Sequence, residues 1–140
     1  IMASTHIPYC FSAIEGSGVD LVEKAAKAQW YAKNEGLTFG RLLISCPLNW
    51  KSEERLGTSV LQRAADCCFF PIYEVERGIT RINYDPEETG KKVPVDDWLL
   101  MMGKTKHLLE KKNHSLLKSI QTHVDHDWKR LKAKHDHPLL

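Results

Sequence analysis

Cys46 is the residue in this sequence best placed to do chemistry. It stands in Ser45-Cys46-Pro47-Leu48-Asn49-Trp50, directly after the apolar run Leu42-Leu43-Ile44. A thiolate on a short loop stiffened by proline suits a soft metal, because the ring fixes one backbone angle on the approach to the sulfur. An inorganic cluster needs several such ligands, generally thiolates. The other cysteines are Cys10, Cys67 and Cys68, and none forms a Cys-x-x-Cys pair with another. Cys10 is a candidate to approach the same crevice, whereas Cys67 and Cys68 read as helix packing. Adjacent cysteines also make a poor disulfide pair, which disfavours an oxidised secreted scaffold.

Other chemistry-bearing types are weaker. His123-Val124-Asp125-His126 sets two imidazoles within four residues, yet no cysteine joins them and zinc needs more ligands than the segment offers. A solvated polar face is the plainer reading. Gly16-Ser17-Gly18 precedes a helical segment and could face a phosphate, but it is neither a dinucleotide fingerprint nor a P-loop, and a turn with a helix cap explains it. No Ser/His/Asp order or carboxylate pair suggests hydrolysis, so no catalytic and no cofactor-binding residue is assigned, and Cys46 is the one candidate metal ligand.

These residues need elements to hold them. Ile7–Phe11 reads as a buried strand. Ser17 with Asp20 resembles a capping box for a helix over about 19–34, ended at Gly36. Arg41–Ser45 reads as a second buried strand, closed by Pro47. Strand, helix, strand in about 40 residues is a βαβ unit, whose crossover implies a parallel sheet. Ligands of open α/β sheets sit at the carboxyl ends of such strands, which is where Cys46 falls. A helix follows over 56–68, stopped by Pro71. Tyr73 and Val75 then face Ile82 and Tyr84 across a hairpin turned at Arg77-Gly78. Pro94-Val95-Asp96-Asp97 starts another helix, broken at Gly103. Leu109, Leu116, Leu117, Ile120, Val124, Trp128 and Leu131 form a narrow amphipathic stripe, suited to a neighbouring surface.

Composition sets the bounds. The 140 residues are 42% hydrophobic and 27% charged, which permits a packed core and argues against wholesale disorder. No apolar run approaches the ~20 residues of a membrane span. The net charge of +2 does not argue for nucleic acid. It is unevenly spread: residues 1–103 hold 11 basic and 14 acidic side chains, and residues 104–140 hold 9 and 4 with six of the seven histidines. The expectation is a compact body over 1–103 and a basic helical extension over 104–140 that packs on a partner subunit. Ile1-Met2-Ala3-Ser4 reads as the end of a helix begun elsewhere, and no secretory leader follows it, so a cytoplasmic chain lacking about half a subunit is expected.

Four blocks, taken in order, resemble one protein type. They are His6-Ile7-Pro8-Tyr9, then Ser45–Trp50, then Phe70–Gly78, then Pro94–Leu99 with Gly103–Leu108. Together they look like the C-terminal half of the thiamine-diphosphate-binding beta subunit of 2-oxoacid:ferredoxin oxidoreductases, the pyruvate synthase and oxalate oxidoreductase group. The resemblance covers about residues 1–108. It implies an α/β, parallel-sheet thiamine-diphosphate-binding fold, here its C-terminal portion, with a β-hairpin and a long helical extension. It implies an enzyme that cleaves a 2-oxoacid on thiamine diphosphate with Mg²⁺, usually passes the acyl unit to coenzyme A, and sends electrons through a four-iron four-sulfur cluster to ferredoxin, within a complex of other subunits. The family's fourth cluster cysteine maps onto Cys46. Its Gly-Asp-Gly diphosphate motif and first three cysteines do not occur here, so this stretch alone is expected to be inactive. The family's loop reads Ala-Pro-Cys-Pro-Thr-Gly-Trp. Ile44, Ser45, Leu48 and Asn49 depart from it, and Asn49 can take the left-handed conformation that Gly would. A non-catalytic interaction module and a small zinc protein are the competing readings.

Overall fold

A computed structural model describes residues 4–137; the expectation for Ile1, Met2 and Ala3 lies outside them. The elements in chain order are β1 (Tyr9–Ile14), α1 (Gly18–Asn34), β2 (Thr38–Leu43), α2 (Pro47–Trp50), α3 (Gly57–Asp66), β3 (Ile72–Glu76), β4 (Ile79–Tyr84), α4 (Val95–Leu100) and α5 (His114–Asp136). The fold is α/β, as expected, with the hairpin and the long last helix in place.

The sheet is mixed. Its order is β2-β1-β3-β4; β1 pairs parallel to β2 and antiparallel to β3, and β3 pairs antiparallel to β4. The βαβ crossover thus yields one parallel pair. The antiparallel β3–β4 pair follows from the tight turn at Arg77 and Gly78, both at positive φ, which returns the chain beside β3; β3 itself runs against β1 after the α3 connection. Tyr73 faces Ile82 as expected, while Tyr84 pairs with Ile72 across an irregularity in the ladder.

Every residue of β1 is buried, because helices cover both faces of the sheet. Tyr9, Phe11 and Ala13 pack with Tyr31, Leu21 and Ala28 of α1. Ile14 joins a larger core with Val60, Leu61 and Ala64 of α3, Trp98 and Leu99 of α4, and Val124 and Trp128 of α5. Buried polar groups between α1 and the sheet are satisfied. Lys24 donates to the Ser12 carbonyl at 3.0 Å and to Asp20 at 2.9 Å. Glu74 accepts from the Tyr9 hydroxyl at 2.7 Å and from Lys27 at 3.0 Å. Asp20 is therefore spent on Lys24. Ser17 caps α1 without a side-chain hydrogen bond, so the expected capping box does not form.

Two further expectations change. The second strand starts three residues earlier than read and is not buried: all four of its inner residues, Phe39, Gly40, Arg41 and Leu42, are exposed. It is the edge of the sheet, so its apolar character does not report burial. The amphipathic stripe of residues 109–131 is spent within the chain. All its members except Leu116 pack in the larger core, with α5 lying against β4. Trp128 is only 1% exposed.

An acidic loop clamps α5. Lys132 pairs with Asp85 at 3.0 Å and with Glu87 at 3.2 Å, and Lys92 pairs with Glu87 at 2.7 Å. The Lys92 hydrogen bond leads in holding the Glu87 carboxyl down to about 2, against the usual 4.5. A depressed carboxylate stabilises the fold above its unfolded pKa and loses that contribution as pH falls through the folded value. Urea unfolding should therefore show a stability difference between the native chain and Glu87→Gln that is present above pH 4.5 and vanishes toward pH 2. A difference independent of pH in that range would contradict the clamp.

Candidate functional site

Cys46 lies just beyond the carboxyl end of β2, where β1, α3 and the segment after α4 converge. The closure starts with the backbone. The Glu15 N–H donates to the Leu43 carbonyl at 3.1 Å, and the Glu15 carboxylate accepts from both the N–H and the hydroxyl of Ser45 at 3.2 Å. Two glycines make the approach possible. A Cβ on Gly57 would meet Ser45 Oγ at 3.1 Å, and one on Gly16 would meet the Thr58 methyl at 2.9 Å. Gly16 thus serves a close approach to α3, and the Gly16-Ser17-Gly18 segment is a packed turn.

Past Cys46 the chain makes one helical turn. The Trp50 N–H donates to the Cys46 carbonyl at 2.9 Å and the Ser52 N–H to the Pro47 carbonyl at 3.1 Å. Lys51 takes the left-handed conformation that ends the turn. The sequence suggested Asn49 for that role, but Asn49 stays inside α2. Its amide oxygen instead accepts from Lys104 Nζ at 3.2 Å. The Gly103 N–H donates to the Lys51 carbonyl at 3.1 Å and the Lys104 N–H to the Trp50 carbonyl at 3.2 Å. A Cβ on Gly103 would sit 3.0 Å from that same Lys51 carbonyl oxygen. The expected helix break at Gly103 falls earlier, since α4 ends at Leu100; Gly103 instead docks the Cys46 loop. Trp50 packs half-buried against the main core.

The Cys46 thiol is exposed, whereas Cys10, Cys67 and Cys68 are buried. Burial pushes the Cys67 thiol up to about 11 and the Cys68 thiol up to about 12, and it also raises Cys10. Cys10 does not reach the crevice. It pairs with Phe39 in the ladder, four strand positions or ~13 Å from the carboxyl end of β2. Cys67 and Cys68 lie in the turn after α3, in the core, as their packing role implied. Among the described residues, no group of three His, Cys, Asp or Glu side chains could hold a metal. His123 and His135 turn their rings to the Ser119 and Thr80 carbonyls. Two clefts flank α5, and Cys46 lines neither. The site is therefore one solvent-facing sulfur on a braced loop, able to supply a single thiolate.

Comparison with known proteins assigns relatives to this arrangement. The chain is 30% identical over 146 residues to pyruvate synthase subunit PorB of Pyrococcus furiosus, covering 94% of this chain and 43% of that protein. Ketoisovalerate oxidoreductase subunit VorB of the same organism is 27% identical over 132 residues, 94% of this chain and 40% of the relative. The chain is a homologue of the B subunits of 2-oxoacid oxidoreductases. Pyruvate synthase subunit PorB of Methanocaldococcus jannaschii is 30% identical over 131 residues, 94% of this chain and 41% of its own length. This homologue thus spans about two-fifths of the relatives it matches. No family model matches it. Among the described residues no helix is long and apolar enough to cross a membrane.

The geometry sets a clear thiol pattern. In metal-free protein under native conditions, a thiol reagent should modify Cys46 rapidly and the three buried cysteines slowly, all four reacting at speed only in denaturant. Gly103→Val should widen the gap further by releasing the loop from residues 103–104. Rapid native labelling of Cys67 or Cys68 would contradict the packing described.

Proposed function

We propose that this chain is part of the beta subunit of a 2-oxoacid:ferredoxin oxidoreductase and that Cys46 supplies one thiolate to its four-iron four-sulfur cluster. The exposed sulfur on the loop after β2 carries the reading. Its environment fits one ligand of such a cluster: an exposed thiol, free of disulfide bonding, with no group of three His, Cys, Asp or Glu side chains gathered among the described residues. The remaining ligands belong to polypeptide outside these 140 residues. The names of the relatives support a 2-oxoacid of the pyruvate or ketoisovalerate kind as substrate. Transfer of the acyl unit to coenzyme A and of electrons to ferredoxin is part of the same proposal.

The role of the chain is to position and tune. When bound, the cluster supplies one-electron transfer. Pro47 offers no N–H toward the sulfur, so it adds no hydrogen bond that would stabilise the reduced form. The Glu15–Ser45 hydrogen bonds hold the residue before the ligand, and the Gly103–Lys51 hydrogen bond holds the turn after it. The backbone on either side of Cys46 is thus braced, which lowers the reorganisation needed on binding. Thiamine diphosphate and Mg²⁺ have no group assigned to them among residues 4–137, where no three His, Cys, Asp or Glu side chains gather. We place them on the same outside polypeptide and derive no step through them.

Replacing Cys46 by Ala in the intact assembly should remove one cluster's worth of iron and its electron paramagnetic resonance signal, with loss of 2-oxoacid-dependent ferredoxin reduction. Cys46→Ser should retain part of the iron with an altered spectrum. Full iron content and an unchanged spectrum in Cys46→Ala would overturn the assignment.

A further inference from the structure

Leu48 is 92% exposed, the most exposed large apolar side chain among the described residues, and Ile44 is 57% exposed. They flank Cys46 two positions away on either side. Neither belongs to a hydrophobic cluster of the core, so the packing of this chain gives no account of their hydrocarbon. A turn in water is normally built of polar and turn-forming residues, and a bare leucine there gains nothing from burial.

The local geometry turns both side chains outward with the thiol. The Ser45 hydroxyl points inward, donating to Glu15 at 3.2 Å and lying close to Gly57, and its neighbours Ile44 and Cys46 are both exposed. Beyond Cys46, the turn seats Trp50 against the main core and leaves Leu48 outward. Over residues 44–50 the exposed side chains are Ile44, Cys46, Leu48 and Asn49, and the Asn49 amide is engaged by Lys104. What the loop offers at its surface is one thiol between two branched hydrocarbons.

Hydrocarbon beside an iron–sulfur centre has a defined electrostatic effect. A four-iron centre held by thiolates is anionic, and one-electron reduction adds a negative charge. Water stabilises the more charged state, and its exclusion favours the less charged one. We propose that Ile44 and Leu48 form an apolar cover on the iron–sulfur centre that Cys46 anchors, keeping water from its sulfur and disfavouring the reduced state. This rests on the reading of Cys46 as a cluster ligand. It goes beyond that reading, because it assigns a role to two residues that donate no bond to iron. Under such a cover the reduced centre is a stronger one-electron donor.

Redox titration of the intact oxidoreductase tests it, following the electron paramagnetic resonance signal that Cys46→Ala removes. At a fixed applied potential, Leu48→Asn should raise the ratio of reduced to oxidised centre about tenfold, which is about 59 mV upward for one electron. Ile44→Thr should shift the ratio in the same direction, and Leu48→Ile should leave it near the native value. Leu37→Asn makes the same loss of hydrocarbon at the far end of β2, about 20 Å along the strand, and should change nothing. Pulsed resonance in D₂O should show stronger deuterium coupling to the reduced centre in Leu48→Asn. An unmoved ratio and coupling in Leu48→Asn would overturn the proposal, and so would an equal shift in Leu37→Asn. If Leu48→Asn impairs assembly while the centre keeps its native ratio and coupling, Leu48 is a subunit contact and the cover is refuted. Iron content separates this from the role of Cys46. Iron lost in Cys46→Ala with a native titration in Leu48→Asn removes the cover alone, whereas iron retained in Cys46→Ala removes the cluster assignment and the cover with it.

Discussion

The hydrogen bonds that Glu15 makes to Leu43 and Ser45 close the carboxyl ends of two parallel strands, and the Cys46 loop hangs from that closure. Parallel strands carry their connections on the sheet faces, so both chain ends leaving the pair emerge on the same side. What leaves β1 enters α1, and what leaves β2 becomes the loop. Gly16 and Gly57 let α3 press against both exits. The position of the sulfur is thus a result of strand direction first and of side-chain chemistry second.

Around this closure the protein spends its apolar surface unevenly. β1 is buried on both faces, and the side of the sheet carrying α3, α4 and α5 holds most of the core. The α1 side relies more on buried polar pairs, with Lys24 and Glu74 both nearly inaccessible and both paired. Such pairs add little net stability compared with hydrocarbon, but removing one partner leaves a buried charge. They fix the seating of α1 over β1, which in turn fixes where β2 begins.

Much of this was legible in the sequence. The order of strands and helices, the Arg77-Gly78 turn and the place of Cys46 follow from periodicity, Pro and Gly. The homologues share the family that four short motifs suggested. What failed did so for specific reasons. Arg41–Ser45 looked buried because an apolar strand at a sheet edge reads, in sequence, like a core strand. Asp20 looked like a cap because Lys24, four residues on, gave no sign that it would be buried and claim the carboxylate. The roles of Gly16, Gly57 and Gly103 depend on contacts between segments distant in sequence, and no local pattern reports those. The stripe of α5 was read correctly as amphipathic, and its members except Leu116 pack in the chain's own core; a stripe states that a facing surface exists and not which one.

The burial of Trp128 has a practical meaning for anyone cutting this polypeptide. Residues 104–140 differ in charge from the rest and resemble a removable tail, yet their last helix seals the hydrocarbon interior between β4 and α4. Trimming at the change in charge would open that interior to water.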